Sequence, residues 1–164
     1  MNNICCLKCN HKFKKRINKD IQLLKNSNNV FIEKYQEINN QIFIYLHINN
    51  KKYLFKLKHD YPFSAPDILI NIHNKYVDYY EYIFKIYIFY RNKMNSDDIT
   101  CSCPCCFNLL CEYNLNYKLI DFLNEIINYN KLIIQLSNKY FGKIILNKKN
   151  NLNDNINYYI IDFL

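Results

Sequence analysis

The sequence predicts an α+β domain: an N-terminal helix, a four-stranded antiparallel meander sheet, a Cys-rich loop and C-terminal helices. Three observations carry this. Ile17, Ile21 and Leu24 recur at spacings of four and three, the period of one helix face. Residues 30–72 then hold alternating apolar runs separated by short polar turns, the period of half-buried strands. Between the third and fourth runs stands Tyr61-Pro62-Phe63-Ser64-Ala65-Pro66. Each proline fixes its own φ near −65° and pushes the residue before it toward extended backbone, so the chain turns this aromatic corner in one geometry.

In chain order, residues 1–12 hold Cys5, Cys6, Cys9 and His11 and read as a polar lead-in. Residues 14–25 form the amphipathic helix, stopped by Asn26-Ser27-Asn28-Asn29, a cluster of turn formers. Strands are expected at 30–35, 41–48, 51–58 and 68–72, with Asn49-Asn50 as a tight turn. The Tyr-rich residues 75–100 read as a helical insertion, its aromatics between Tyr79 and Tyr90 being core or a lid over the loop rather than a base-stacking platform. A Cys-dense loop covers 101–111. Leu119, Phe122, Leu123, Ile126 and Ile127 then set a helix over 115–129, and a further helical pattern runs from 131 to 141. The domain reading is a lead-in at 1–12, a core at 13–130 with its insertion at about 75–100, and a C-terminal extension at 131–164.

Composition narrows the function. A chain of 164 residues with 16 Tyr and 11 Phe can bury a core without disulfides or metal. A single Gly excludes Gly-rich phosphate loops, and with them P-loop and dinucleotide-binding sites. The net charge of +8 admits an anionic partner. The lysines are scattered along the sequence, however, so nucleic acid is not expected. No N-terminal signal stands out, and the most apolar window, 76–90, carries Asp78, Glu81 and Lys85, too short and too charged to span a bilayer. The expectation is a cytoplasmic protein without a membrane partner, in a host's cytoplasm if the A/T-rich coding is a virus's. Eight Cys in a reducing compartment read as thiols, metal ligands or a nucleophile.

The Tyr61–Pro66 corner, followed by Cys106-Phe107-Asn108-Leu109-Leu110, resembles the ubiquitin-conjugating enzyme family over roughly residues 14–130. In that family a Cys-apolar-Asp/Asn/Ser-apolar-Leu run carries the nucleophile. The resemblance implies that Cys106 accepts ubiquitin or a ubiquitin-like protein as a thioester from an activating enzyme and passes it on with a ligase. Asn108 and Asn74 would support the oxyanion or the loop, and Tyr61, Pro62, Phe63 and Pro66 would form the structural corner. Reading Cys105 as the nucleophile ranks second, because it puts Cys106 and Asn108 at apolar positions. The sequence departs from the family where the His-Pro-Asn tripeptide would precede the Cys; His73-Asn74 is the nearest remnant. Tyr113 stands where the family has Trp. No small-molecule cofactor is required.

The alternative is a non-catalytic relative, an RWD-type interaction module whose cysteines bind a structural zinc. Cys6-Leu7-Lys8-Cys9 and Cys103-Pro104-Cys105-Cys106 each contain a C-x-x-C pair, the spacing that lets two thiolates chelate one ion. Cys6, Cys9 and Cys103 would be its ligands, with Cys105 or else Cys106 as the fourth. His47 reads as a half-buried or surface residue of a strand, Asp97-Asp98 as a solvated helix end, and Asp121 as a water-facing helix residue.

Overall fold

The structure, a computed structural model, describes residues 4–94, 109 and 113–148. Its architecture is α+β: a helix, a five-stranded antiparallel sheet, then two helices on one side of the sheet. The elements are α1 (Ile4–Lys25), β1 (Val30–Ile38), β2 (Gln41–Ile48), β3 (Lys51–Leu57), β4 (Asp67–Ile72), β5 (Lys75–Asp78), α2 (Tyr79–Met94) and α3 (Leu119–Lys148). The strands lie in sequence order, each antiparallel to the one before.

Three of the four strand connections are two-residue turns at Asn39-Asn40, Asn49-Asn50 and His73-Asn74. All six residues have positive φ, between 48° and 64°. Such turns match the right-handed twist of the flanking strands and need left-handed backbone at both central positions. Asn reaches that conformation more easily than other side chains, so it serves here in a chain with one glycine. The fourth connection, β3 to β4, is the proline corner.

β2 shows the pleat directly: Ile42, Ile44, Leu46 and Ile48 are buried, and the residues between them are half-buried. In register with them, Tyr53, Phe55 and Leu57 of β3 and Ile68 and Ile70 of β4 complete the inner face. α1 lies against β1 and α3, and α2 against β4, β5 and α3, so α3 runs between the other two. α1 contributes Ile17, Ile21 and Leu24 to the core; α2 contributes Tyr79, Ile83, Tyr87 and Tyr90. Of the aromatics between Tyr79 and Tyr90, Tyr79, Tyr87 and Tyr90 are core, and Tyr80, Tyr82, Phe84 and Phe89 are half-buried around them.

Four expectations are corrected. The sheet has five strands, not four, because the His73-Asn74 turn sends Tyr76 and Val77 back along β4 before the helix begins. The described part of the expected 75–100 insertion is therefore strand (Lys75–Asp78) and then helix (Tyr79–Met94). Helix α1 begins at Ile4, so most of the 1–12 lead-in is helical. The last predicted helices, 115–129 and 131–141, are one helix from Leu119 to Lys148. Asn130, the expected break, is buried in mid-helix, where its amide donates to the Tyr53 hydroxyl (3.0 Å) instead of competing for its own backbone. At about 45 Å, α3 outruns the strands. Its distal Tyr140 packs edge-on against Phe89 and Tyr90 of α2. No helix among the described residues is long and apolar enough to cross a membrane.

Candidate functional site

The corner is built from the backbone outward. After β3, Tyr61 N–H bonds to the Lys58 carbonyl (3.1 Å) and Phe63 N–H to the Asp60 carbonyl (2.7 Å). The Ser64 hydroxyl donates to Asp60 Oδ1 (2.6 Å), and the Tyr61–Pro62 peptide is cis. Tyr61 is fully buried and Pro66 is buried at the entrance to β4. The Phe63 ring is 72% exposed, so Phe63 serves the turn through its N–H alone.

A buried ionic network fastens this corner to two helices. The Tyr61 hydroxyl donates to Asp20 Oδ2 (2.5 Å), and Arg16 Nε donates to the same oxygen (3.0 Å). Arg16 Nη2 reaches on to the Tyr117 carbonyl just before α3 (2.8 Å). Asp20 is 0% exposed, on the face of α1 that carries Ile17 and Leu24. Such a carboxylate persists in the core only with charged or hydrogen-bonding partners. Burial first, then the neighbouring carboxylate, pushes the Tyr61 phenol far above its ordinary value, so it stays a donor at any physiological pH.

Two further contacts bring in the chain around the Cys-rich loop. The Tyr113 hydroxyl donates to the Pro62 carbonyl, and its ring packs on Tyr117 and Phe122 at 6.2 and 5.9 Å between centroids. Leu109 N–H donates to Glu125 Oε1 (2.7 Å), whose other oxygen accepts from the Tyr80 hydroxyl of α2. Burial raises the Glu125 carboxyl above the usual range, though both hydrogen bonds pull the other way. Beside Leu109, a groove of about 490 Å³ follows α3 past Tyr117, Asp121, Asn124 and Asn128. Asp121 caps that helix, accepting from Lys118 N–H (2.7 Å), rather than simply facing water.

Of the residues singled out from the sequence, the structure brings together the corner and the exit of the loop. Cys106, Asn108, Cys103 and Cys105 lie outside the described residues, as do Asp97 and Asp98. Cys6 and Cys9 lie on α1. Asn74 is the second residue of the β4–β5 turn, its N–H bonded to Asn71 Oδ1 (3.1 Å). His47 is half-buried on β2 and bonded to Glu33 (3.0 Å). Among the described residues, no three His, Cys, Asp or Glu are placed to hold a metal ion.

Asp20, Arg16, Glu125 and Tyr80 were not foreseen. For Asp20 a signal exists: it is a charge inside the apolar stripe of a helix, three after Ile17 and four before Leu24. Glu125 gave none, since its position beside the stripe of α3 is ordinary for a solvated carboxylate. No protein-family model, curated protein or solved structure matches this chain.

Proposed function

We propose that the chain is a divergent ubiquitin-conjugating-like domain that carries ubiquitin or a ubiquitin-like protein as a thioester on Cys106. One observation carries the reading. The Tyr113–Pro62 hydrogen bond joins the segment just after the cysteines to the rigid corner after β3, as a loop held beside that corner requires. The Leu109–Glu125 bond adds a second anchor, three residues beyond Cys106 in sequence. Tyr113, with its ring on Phe122, fills the position where the family has Trp.

The reaction is acyl exchange between thiols. The Cys106 thiolate attacks the thioester carbonyl on the activating enzyme, a new carbon–sulfur bond forms, and the activating enzyme's thiolate leaves. No electrons are exchanged and the step is nearly balanced, so the protein's task is positioning. A ligase cysteine or an acceptor amine then attacks the new thioester in the same way. With the family's tripeptide missing and Asn74 engaged in a turn, transfer to an amine lacks one oxyanion donor, a loss of about 10²–10³ in rate. Passage to a ligase cysteine is the faster outlet. Phe63 and Leu115, 72% and 49% exposed on the two segments joined at Pro62, offer apolar surface to activating enzyme or ligase.

The test mixes the protein with activating enzyme, ATP and ubiquitin, followed by a non-reducing gel. An adduct cleaved by thiol, lost in Cys106→Ala and kept in Cys105→Ala, is expected. Absence of an adduct with every ubiquitin-like protein tried, or an adduct surviving Cys106→Ala, refutes the assignment.

The turn role of Asn74 favours a second reading, the non-catalytic module in which Cys6, Cys9, Cys103 and Cys105 hold a structural zinc. Metal analysis of protein purified without chelator separates the two. One equivalent of zinc with no thioester adduct supports the module.

A further inference from the structure

The face of the sheet opposite the helices has a composition of its own. Phe31 of β1, Phe43 and Tyr45 of β2 and Tyr76 of β5 all point to it. Tyr45, register partner of the outward Leu54, meets Tyr76 edge-on (6.3 Å), and Leu54 is itself buried on this side, whereas Phe31 is 67% exposed. Lys34, Lys52 and Lys56 stand among them. Lys34 Nζ lies 4.3 Å from the centre of the Tyr45 ring and Lys56 Nζ 6.0 Å from that of Phe43.

The acidic groups on this face are already engaged. Glu33 is paired with His47 (3.0 Å), Asp67 with Lys58 (2.9 Å), and Asp78 caps the first turn of α2 through Glu81 N–H (2.8 Å). Among the described residues, Lys34, Lys52 and Lys56 are in no ion pair, though Lys52 and Lys34 also face Glu33 and, after its hydrogen bond to His47, help to lower its carboxyl. In the sequence these lysines look scattered; the antiparallel register of β1, β2 and β3 gathers them onto one surface. Outward side chains repeat every ~6.7 Å along a strand and every ~4.8 Å across strands, so rings and charges alternate at nucleotide dimensions.

We propose that this open face binds single-stranded nucleic acid. Bases stack on Phe31 and the neighbouring aromatics, and Lys34, Lys52 and Lys56 meet the phosphates. An exposed ring such as Phe31 accepts an unpaired base and not a paired one, which sets single strands apart from duplex. The inference stands independently of the thioester reading, since none of these residues belongs to the corner or to the loop anchors.

Fluorescence anisotropy tests it with labelled oligo-uridine and oligo-thymidine of about 12 nucleotides, a length that spans one such site, and with a duplex of equal length. Single strands are expected to bind in a saturable manner and more tightly than duplex. Phe31→Ala should weaken binding about 5- to 150-fold, the effect of losing one stacked base, and Phe31→Tyr should restore it. Phe31 is exposed, so both variants keep the fold. Lys34→Ala and Lys56→Ala should each reduce the slope of log affinity against log salt by about 0.7. Four outcomes overturn the proposal. They are no saturation by about 100 µM, where non-specific contacts already register, unchanged binding by Phe31→Ala, duplex bound as tightly as single strands, and displacement by polyglutamate as effective as by oligonucleotide. The last would assign the face to an acidic polypeptide.

Discussion

Replacing Tyr61 with Phe probes the network that holds the corner. The substitution removes one oxygen from a fully buried ring and leaves its packing in place, so the change reports on the hydroxyl's interactions with Asp20 and Arg16. A hydrogen bond to a charged group contributes about 1.5–3 kcal/mol, more than a neutral one. The upper half of that range applies here. Asp20 keeps only Arg16 on Oδ2, and its Oδ1 has no partner among the described residues, so the lost donor is not replaced. With a urea dependence of about 2 kcal/mol/M, typical for a small domain, a loss of about 2.5 kcal/mol lowers the unfolding midpoint by about 1.2 M. The assay is urea unfolding followed by far-ultraviolet circular dichroism on wild type, Tyr61→Phe, Asp20→Asn and the double variant. Because the two groups contact each other, the sum of the two single effects should exceed the effect of the double variant by about 1 kcal/mol or more. A midpoint shift below ~0.3 M, or strict additivity, would refute the view that this network fixes the corner.

Three further outcomes are expected. Gly142→Ala, inside α3 and with nothing within 4 Å of the added methyl, should stabilise the protein by about 0.5–1 kcal/mol; a destabilisation in the same urea assay would contradict the helix there. Phe122→Ala should cost about 3–5 kcal/mol and release Tyr113, whose ring packs on it, visible as increased tyrosine exposure in near-ultraviolet difference spectra. Glu125 carries a carboxyl raised by burial, so the folded state holds its proton at a pH where the unfolded chain has released it. Stability should therefore decline as pH rises from the ordinary carboxylate range, ~4.3, through the raised value, and level off above it. Urea midpoints of wild type minus Glu125→Gln should trace that decline, and a difference constant with pH would contradict it.

Much of the fold was legible because it rests on local periodicity. The stripe of Ile17, Ile21 and Leu24, the alternation in β2 and β3, and Leu119 to Ile127 each announce their element, since an apolar face must be buried whatever covers it. β5 was not legible: Lys75–Asp78 is short and exposed on every residue, and only the left-handed turn before it makes it a strand. The unity of α3 was hidden for a related reason. Asn130 reads as a helix breaker until Tyr53, remote in sequence, supplies its partner.

For the candidate site, the sequence alone determined the stiff Tyr61–Pro66 corner, because proline restricts its own φ and the backbone of its neighbour with no help from the rest of the chain. It also determined that a Cys-dense segment follows the sheet. Only the tertiary structure decided what the corner touches. Asp20 and Arg16 from α1, Tyr113 from beyond the cysteines, and the Glu125 anchor for Leu109 meet through contacts whose partners are far apart along the chain. Likewise, lysines scattered in the sequence share one sheet face only through strand register. Local pattern encodes which surface an element buries; which charges and hydroxyls then face each other is set when the buried surfaces meet.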